Sequence, residues 1–313
     1  MVLIPILLVC AGLAIIVFSA DEAIKRVLNL ARYFRLSEFI TSFVIAGVVA
    51  VLPELTIGVV AALEETSSLG FGVILGSNVA DLTLVIGVAV LFAGKLKLEP
   101  DTVRLIRNSF LAVILPVFLF LDGEISRVDG VILLLAFAIY IFILLRTGRY
   151  GHSIMGEGGK KRFTFEVILL AASLAVLFFG GNLVAHNSRE LSLQLGLPLF
   201  LVGVVVAVGT CFPEMPFAIR ASRRKHGELG LGNILGCVLA DSMFTIGVVA
   251  LIQPIKPLYP AFSLSTAGFM VFSAIIVYGL SRDGVLDRRD GTILVTAYGV
   301  FLAMQLVLKA LSI

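Results

Sequence analysis

Apolar runs long enough to cross a lipid bilayer recur along the whole chain, separated by short charged or Gly- and Pro-rich breaks. A membrane-spanning helix needs about 20 such residues, and the runs predict ten spans. The predicted spans are residues 2–20, 38–62, 70–94, 106–121, 127–145, 164–185, 195–219, 229–253, 259–280 and 291–311. Because 59% of the 313 residues are apolar and only 14% are charged, no room is left for a soluble domain. The sequence predicts an all-α polytopic membrane protein and excludes a soluble enzyme, a nucleic-acid-binding protein and a disordered chain.

The basic residues indicate how the predicted spans are oriented. Most of the 24 Lys and Arg residues fall in the loops that join spans 1/2, 3/4, 5/6, 7/8 and 9/10. Basic loops stay in the cytoplasm, so we expect an integral protein of the cell membrane with both termini outside. The net charge of +3 is too small to indicate a polyanionic partner such as a nucleic acid. The expected partners are the lipid bilayer and inorganic cations, and the sequence suggests no protein partner.

Two stretches of the chain resemble each other at a constant offset of 160 residues. One begins "LPEL" at Leu52 and the other "FPEM" at Phe212, and each places Ala-Asp 27 residues after Pro-Glu. We interpret them as an internal duplication, with a first five-helix repeat at 1–150, a cytoplasmic linker at 151–163 and a second repeat at 164–313. Since five is an odd number of spans, the second repeat is inverted relative to the first. Inverted repeats are a transporter architecture, with ion sites near the bilayer midplane.

Four acidic residues lie well inside predicted spans, away from their ends, and form matched pairs: Glu54, Asp81, Glu214 and Asp241. A charged side chain at the bilayer centre costs about 2.5–3.5 kcal/mol on insertion scales, and no Lys or Arg lies within these spans to compensate. One explanation is protonated acids that hydrogen-bond between helices. The one we favour is a bound cation, because hard divalent ions such as calcium take carboxylate, carbonyl and hydroxyl oxygens as ligands.

The residues before these acids also suggest a site. Pro53 and Pro213 each precede a glutamate, and proline inside a helix removes a backbone donor and clashes with the preceding turn. Spans 2 and 7 are therefore predicted to break there. Ser77 and Thr210 each lie four residues before an acid, on the same helical face.

The strings "LPEL…GSNVAD" and "GTCFPEM…GNILGCVLAD" resemble the two alpha repeats of the cation/calcium exchanger superfamily, nearest to prokaryotic sodium/calcium exchangers. The resemblance covers about 47–87 and 207–247, and the ten-span topology extends it to the whole chain. It implies a central group of acids that binds calcium, with sodium at flanking Ser and Thr hydroxyls. The matching positions are Glu54, Ser77, Asp81, Thr210, Glu214 and Asp241. It also implies alternating access, in which spans 1 and 6 move against spans 2–3 and 7–8.

The chain departs from the family pattern at several positions. Ala50-Val51 replace Thr-Ser, and Cys211 and Cys237 each replace Ser. Asp81 replaces the usual Asn, and an additional carboxylate beside three others favours the binding of protons. The thiols are either small core residues or soft ligands for a transition metal such as manganese, zinc or cadmium.

The resemblance implies a secondary-active antiporter, not an enzyme, that exchanges calcium or a related divalent cation for sodium. A proton-coupled calcium or transition-metal antiporter is the alternative. A divalent-cation channel fits less well, because a channel pore is more naturally built from an oligomer with one ring of acids per subunit. An intramembrane aspartyl protease would need a GxGD string, which the chain lacks. We expect no cofactor; the transported ions are calcium and sodium, or protons.

Overall fold

The computed structural model describes residues 2–33, 50–98, 100–147, 160–212, 214–223 and 227–311, and within them the chain is almost entirely helical. The helices are α1 (Leu3–Tyr33), α2 (Leu52–Leu63), α3 (Ser67–Ala80), α4 (Ile86–Ala93), α5 (Pro100–Leu119), α6 (Arg127–Thr147), α7 (Lys160–Leu195), α8 (Leu199–Thr210), α9 (Glu214–Arg223), α10 (Gly227–Ala240), α11 (Ile246–Ile252), α12 (Pro260–Ser281) and α13 (Arg288–Leu311). The shorter elements are π-helical turns at Asp81–Val85 and Asp241–Thr245, a 3-10 turn at Phe120–Asp122, and strands β1 (Lys95–Lys97) and β2 (Val285–Asp287).

Every predicted span contains helix, but not every helix is long enough to cross a membrane. Among the described residues, six segments have the required length and apolar composition: Leu3–Val27, Ser67–Ala93, Phe163–Leu195, Gly230–Ile252, Pro260–Ser281 and Arg288–Leu311. The α8–α9 pair, bent by 41°, is a seventh candidate, and Leu52–Leu63 and Ala112–Asp122 are shorter apolar helices. Part of the predicted span 38–62 and most of the linker lie outside the described residues. Helix length and composition therefore support six or seven spans, and not the predicted ten.

The first and sixth predicted spans are parts of much longer helices. Helix α1 continues from the predicted end at residue 20 to Tyr33, and α7 continues from 185 to Leu195. Lys25 and Arg26, predicted to lie in a loop, lie on α1 and pair one turn back with Asp21, at 2.7 Å, and with Glu22. Such pairs stabilise a helix beyond the end of its apolar stretch. The charged residues after position 20 therefore do not mark the end of α1.

The helices form a buried centre and a peripheral layer. Within an 18-residue apolar stretch of the spans Ser67–Ala93 and Gly230–Ile252, 89% and 83% of the residues are buried, compared with 33% and 28% in the corresponding stretches of α1 and α7. Helix α1 packs along α7. The centre therefore consists of α3–α4 and α10–α11, each continued through its π-helical turn.

Two loop pairings link the halves of the chain. Strand β1 pairs antiparallel with β2, with Lys95 opposite Asp287. Ile125 and Ile255 exchange backbone hydrogen bonds of 3.0 Å beyond the other end of α5. Lys95 and Ile255 are 160 residues apart, as are Ile125 and Val285. The two pairings thus follow the offset of the sequence repeat and lie at opposite ends of α5.

Glycine permits the closest crossing in the centre, between α3 and α8. A Cβ atom at Gly72 would clash with the carbonyl oxygen of Phe200, and one at Gly203 would clash with that of Leu69. At Gly299, an exposed glycine of α13, no described atom lies within 4 Å of the position that a Cβ would take. Small residues such as Gly72 and Gly203 let helix backbones approach closely in membranes.

This difference predicts that Gly72→Ala destabilises the protein and Gly299→Ala does not. The first variant forces α3 away from α8, and overpacking of this kind costs about 1–3 kcal/mol. The second gains the helix propensity of alanine, worth up to about 1 kcal/mol. Thermal unfolding of both variants in detergent measures the difference, and equal stability would contradict the packing role of Gly72.

Candidate cation-binding site

Asp81 and Asp241 lie where the two most buried helices change geometry. Each is the first residue of a π-helical turn that continues the preceding helix, α3 in the first half and α10 in the second. Turns of this kind inside α-helices are frequent at functional sites. The equivalent turns therefore place one aspartate from each half in the centre of the molecule.

Glu54 and Glu214 lie in the first turns of two short helices. Glu54 is in the first turn of α2, which has Pro53 at its start, and Glu214 is the first residue of α9. Helix α8 ends at Thr210, and the chain bends by 41° between α8 and α9. The structure thus places a helix break beside each glutamate. Pro213, predicted to cause the second break, lies outside the described residues.

The four acidic side chains are buried and lie near one another. Their exposed fractions are 3% for Glu54, 3% for Asp81, 8% for Glu214 and 1% for Asp241. Each carboxyl group has one buried oxygen without a hydrogen-bond partner among the described residues. The π-helical turn of each half packs against the short helix that carries the glutamate of the other half, and this packing brings the acids of the two halves together. Since burial of unpaired charge is costly, this arrangement favours a cationic ligand.

A neutral hydroxyl group of one half contacts an acid of the other. The Ser77 hydroxyl donates to Oδ2 of Asp241 at 3.2 Å. The Thr210 hydroxyl donates to the backbone oxygen of Ala207 at 2.9 Å, within its own helix. Helical spacing had paired Ser77 with Asp81 of its own half, whereas the described contact joins the two halves at a π-helical turn.

Sequence reasoning missed the polar pair of Asn78 and Ser242. The Asn78 amide donates to the Ser242 hydroxyl at 3.2 Å, both side chains are fully buried, and the Asn78 carbonyl oxygen has no described partner. An Asn inside an apolar run, directly after Ser77, was the available signal. This hydrogen bond is a further polar contact between the two halves.

One further buried acid lies away from this cluster. Glu166 on α7 is 7% exposed and accepts hydrogen bonds from Arg26 at 3.3 Å and Asn29 at 3.1 Å, both on α1. Sequence analysis did not count it among the acids inside spans. Its partners satisfy it, so it ties α1 to α7 and leaves no carboxyl group for a cation.

The two predicted soft ligands are buried beside the acids. The Cys211 thiol is 2% exposed and donates to the backbone oxygen of Ser77, with the sulfur 3.8 Å from that oxygen. Cys237 is 3% exposed and packs against Ala50 and Val51. Cys237 therefore lies beside alkyl groups, whereas Cys211 lies on the flank that carries Ser77.

Within the described part of the chain, no three His, Cys, Asp or Glu side chains are grouped closely enough to hold a metal ion. The acids are thus neighbours without forming a complete coordination shell. Capture of a cation requires side-chain movement or the addition of neutral oxygens such as those of Ser77 and Thr210.

Comparison with known proteins identifies relatives over nearly the full chain. The inner membrane protein YrbG of Escherichia coli is 26% identical over 95% of both chains. The sodium/calcium exchanger MaX1 of Methanosarcina acetivorans is 24% identical, over 97% of this chain and 99% of the relative. A solved structure of the sodium-calcium exchanger NCX_Mj, soaked with 100 mM Na⁺ and 10 mM Sr²⁺, shares the fold, with a TM-score of 0.67 at 22% identity over 97% of this chain and 99% of that one.

The profile of a single protein family matches both halves of the chain. The family, described as "Sodium/calcium exchanger protein", matches residues 4–146 and 165–307, two segments of equal length. This confirms the resemblance inferred from the two repeated strings. The apolar helices and membrane-protein relatives further indicate an integral membrane protein, and the family is one of transporters, not of enzymes. The chain belongs to the sodium/calcium exchanger family.

Proposed function

We propose that the protein is a secondary-active antiporter that exchanges calcium, or a related divalent cation, for sodium. The observation that carries the proposal is the cluster of four buried carboxyl groups, two from each half, each with an unpartnered oxygen. Buried carboxylates are retained in membranes where a cation compensates them. Family membership and the name of the relative MaX1 also support calcium and sodium as the ions.

Each side chain has a role in this proposal. Glu54 and Glu214 ligate the divalent cation directly, because both lie in first helical turns beside a break. Asp81 and Asp241 complete the site from the π-helical turns. Ser77, which donates to Asp241 of the opposite half, and Thr210 supply neutral oxygens to a flanking monovalent-cation site; their roles follow the family resemblance.

We further propose ten spans, arranged as two inverted five-helix repeats with both termini outside. The β1–β2 and Ile125–Ile255 pairings support this arrangement, since the 160-residue offset relates them across α5. Alternating access would move α1 and α7 against the centre. This assignment follows the family resemblance, and both helices are less buried than the centre, as α13 also is.

Proton coupling is the second candidate, and it has its own structural support. Asp81 adds a carboxylate to the cluster, and the flank near Cys237 presents the alkyl groups of Ala50 and Val51. Sodium takes several oxygen ligands, and none of the side chains of Ala50, Val51 and Cys237 supplies one. An acid on this flank would therefore be neutralised by a proton in place of sodium.

Calcium uptake into proteoliposomes tests the proposal. We expect an outward sodium gradient to drive uptake, because an antiporter moves its two ions in opposite directions. Glu54→Gln and Glu214→Gln should each lower the rate at least about 100-fold, since even groups behind the direct ligands of a metal site contribute about 10- to 100-fold. Glu190→Gln, on the exposed surface of α7, is the matched control and should leave uptake unchanged.

The same assay separates the rival functions. Uptake driven by an imposed pH gradient without sodium would show that the counter-ion is the proton and not sodium. Flux that needs no opposing gradient would indicate a channel. Normal uptake by either folded Glu→Gln variant would remove that glutamate from the binding site.

Cysteine labelling tests the inverted topology at repeat-equivalent positions. Asp122 and Arg282 are 160 residues apart and both exposed, so Asp122→Cys and Arg282→Cys sample the same place in each half. In a Cys10→Ala background, a membrane-impermeant thiol reagent should label Asp122→Cys from outside and Arg282→Cys from the cytoplasmic side only. Labelling of both from the same side would refute the inverted arrangement.

A further inference from the structure

Two adjacent residues of α3 hydrogen-bond to two adjacent residues of the second π-helical turn. The Ser77 hydroxyl donates to Oδ2 of Asp241 at 3.2 Å, and the Asn78 amide donates to the Ser242 hydroxyl at 3.2 Å. The other carboxyl oxygen of Asp241, Oδ1, is buried and has no described partner. Because the two bonds start from neighbouring residues and end on neighbouring residues, together they fix both the position and the rotation of this turn relative to α3.

The bond from Ser77 cannot hold Asp241 at all times. A serine hydroxyl carries a single hydrogen. Two acceptors lie within its reach, the backbone oxygen of Ile74 at 2.9 Å and Oδ2 of Asp241 at 3.2 Å. When the hydrogen points to Ile74, the hydroxyl presents lone pairs to its surroundings and no longer donates to the aspartate. The turn that carries Asp241 therefore needs a second support.

Asn78 provides that support. Its amide nitrogen is a donor in every orientation of Ser77, and among the described residues Ser242 is its one acceptor. The Asn78 carbonyl oxygen is buried without a described partner, so the bond to Ser242 alone sets the orientation of this side chain. Since Ser242 directly follows Asp241 in the turn, a bond that holds Ser242 also holds the backbone from which Asp241 projects.

The equivalent crossing of the other half lacks this bond. Helix α10 packs against the first π-helical turn, as α3 packs against the second. At the 160-residue offset, Val238 occupies the position of Asn78, and Leu82 occupies that of Ser242. Two alkyl side chains cannot form a hydrogen bond. The polar anchor is therefore specific to the turn that carries Asp241.

We propose that Asn78 is a positioning residue that anchors the second π-helical turn through Ser242 and thereby holds Asp241 in the orientation that binds the divalent cation. The inference rests on the proposed function, because it concerns the same site. Groups behind the direct ligands of a metal ion orient those ligands, and their loss typically lowers affinity about 10- to 100-fold. Asn78 acts in this way through the turn, without touching the ion.

Calcium binding to the purified full-length protein in detergent tests the inference. Ser242→Ala, which removes the hydroxyl at nearly constant size, should weaken binding at least about tenfold. Asn78→Val, which introduces the residue of the equivalent crossing, should weaken it by the same factor. The double variant should lose no more than either single variant, because both changes remove one and the same hydrogen bond. It also leaves neither buried polar partner unpaired, which favours its folding.

Gln305 on α13 offers a matched control for the loss of a buried polar contact between helices. It is 2% exposed and donates to Thr266 of α12 at 2.9 Å, and its described hydrogen bonds include none of the four acids. Gln305→Leu should lower the thermal stability, because polar contacts of this kind stabilise helix pairs in membranes. Its calcium affinity should equal that of the wild type.

Three results would overturn the inference. Wild-type calcium affinity in any folded variant that lacks the Asn78–Ser242 bond assigns the pair to helix packing alone. Additive losses in the double variant show that Asn78 does not act through Ser242. An equal loss of affinity in Gln305→Leu shows that binding follows overall stability. In all three cases, calcium binding that Glu54→Gln abolishes leaves the proposed antiporter standing. If the wild type binds no calcium, or if Glu54→Gln binds it normally, the proposed function fails and this inference fails with it.

Discussion

The cost of burying four carboxyl groups in the centre of a membrane protein is the constraint on which this structure depends. An isolated ionised carboxylate in an apolar medium is so unfavourable that it is paired, neutralised or bound to a metal. Among the described apolar spans, the two that carry Asp81 and Asp241 are the most buried. Under the function proposed above, a bound cation compensates the cost of burying these acids.

The two halves of the chain satisfy each other's polar groups. Ser77 of the first half bonds to Asp241 of the second at 3.2 Å, and Asn78 bonds to Ser242 at 3.2 Å. Removing either half would leave these buried groups without partners, which is costly in a low-dielectric interior. The cluster is thus a property of the assembled pair of repeats, since neither half supplies all four acids.

The repeats are equivalent in backbone but not in chemistry. Both halves have a π-helical turn that begins at the Asp of an Ala-Asp pair and a short helix with a glutamate in its first turn. Around these shared elements, one flank carries the hydroxyls of Ser77 and Thr210, and the other carries Cys237 with the alkyl groups of Ala50 and Val51. Both repeats contribute the same carboxyl groups to such a site. Its ion selectivity therefore depends on the atoms of the two flanks, which differ.

The sequence by itself determined the membrane class, the duplication and the identity of the four acids, because hydropathy, the 160-residue offset and charges in apolar runs are local properties of the chain. It misplaced the ends of α1 and α7, since ion pairs such as Lys25–Asp21 extend a helix past its apolar run. Only the tertiary structure decided which hydroxyl meets which acid. Helical spacing relates residues of one segment, whereas the Ser77–Asp241 contact and the α3–α8 crossing at Gly72 depend on how distant segments pack.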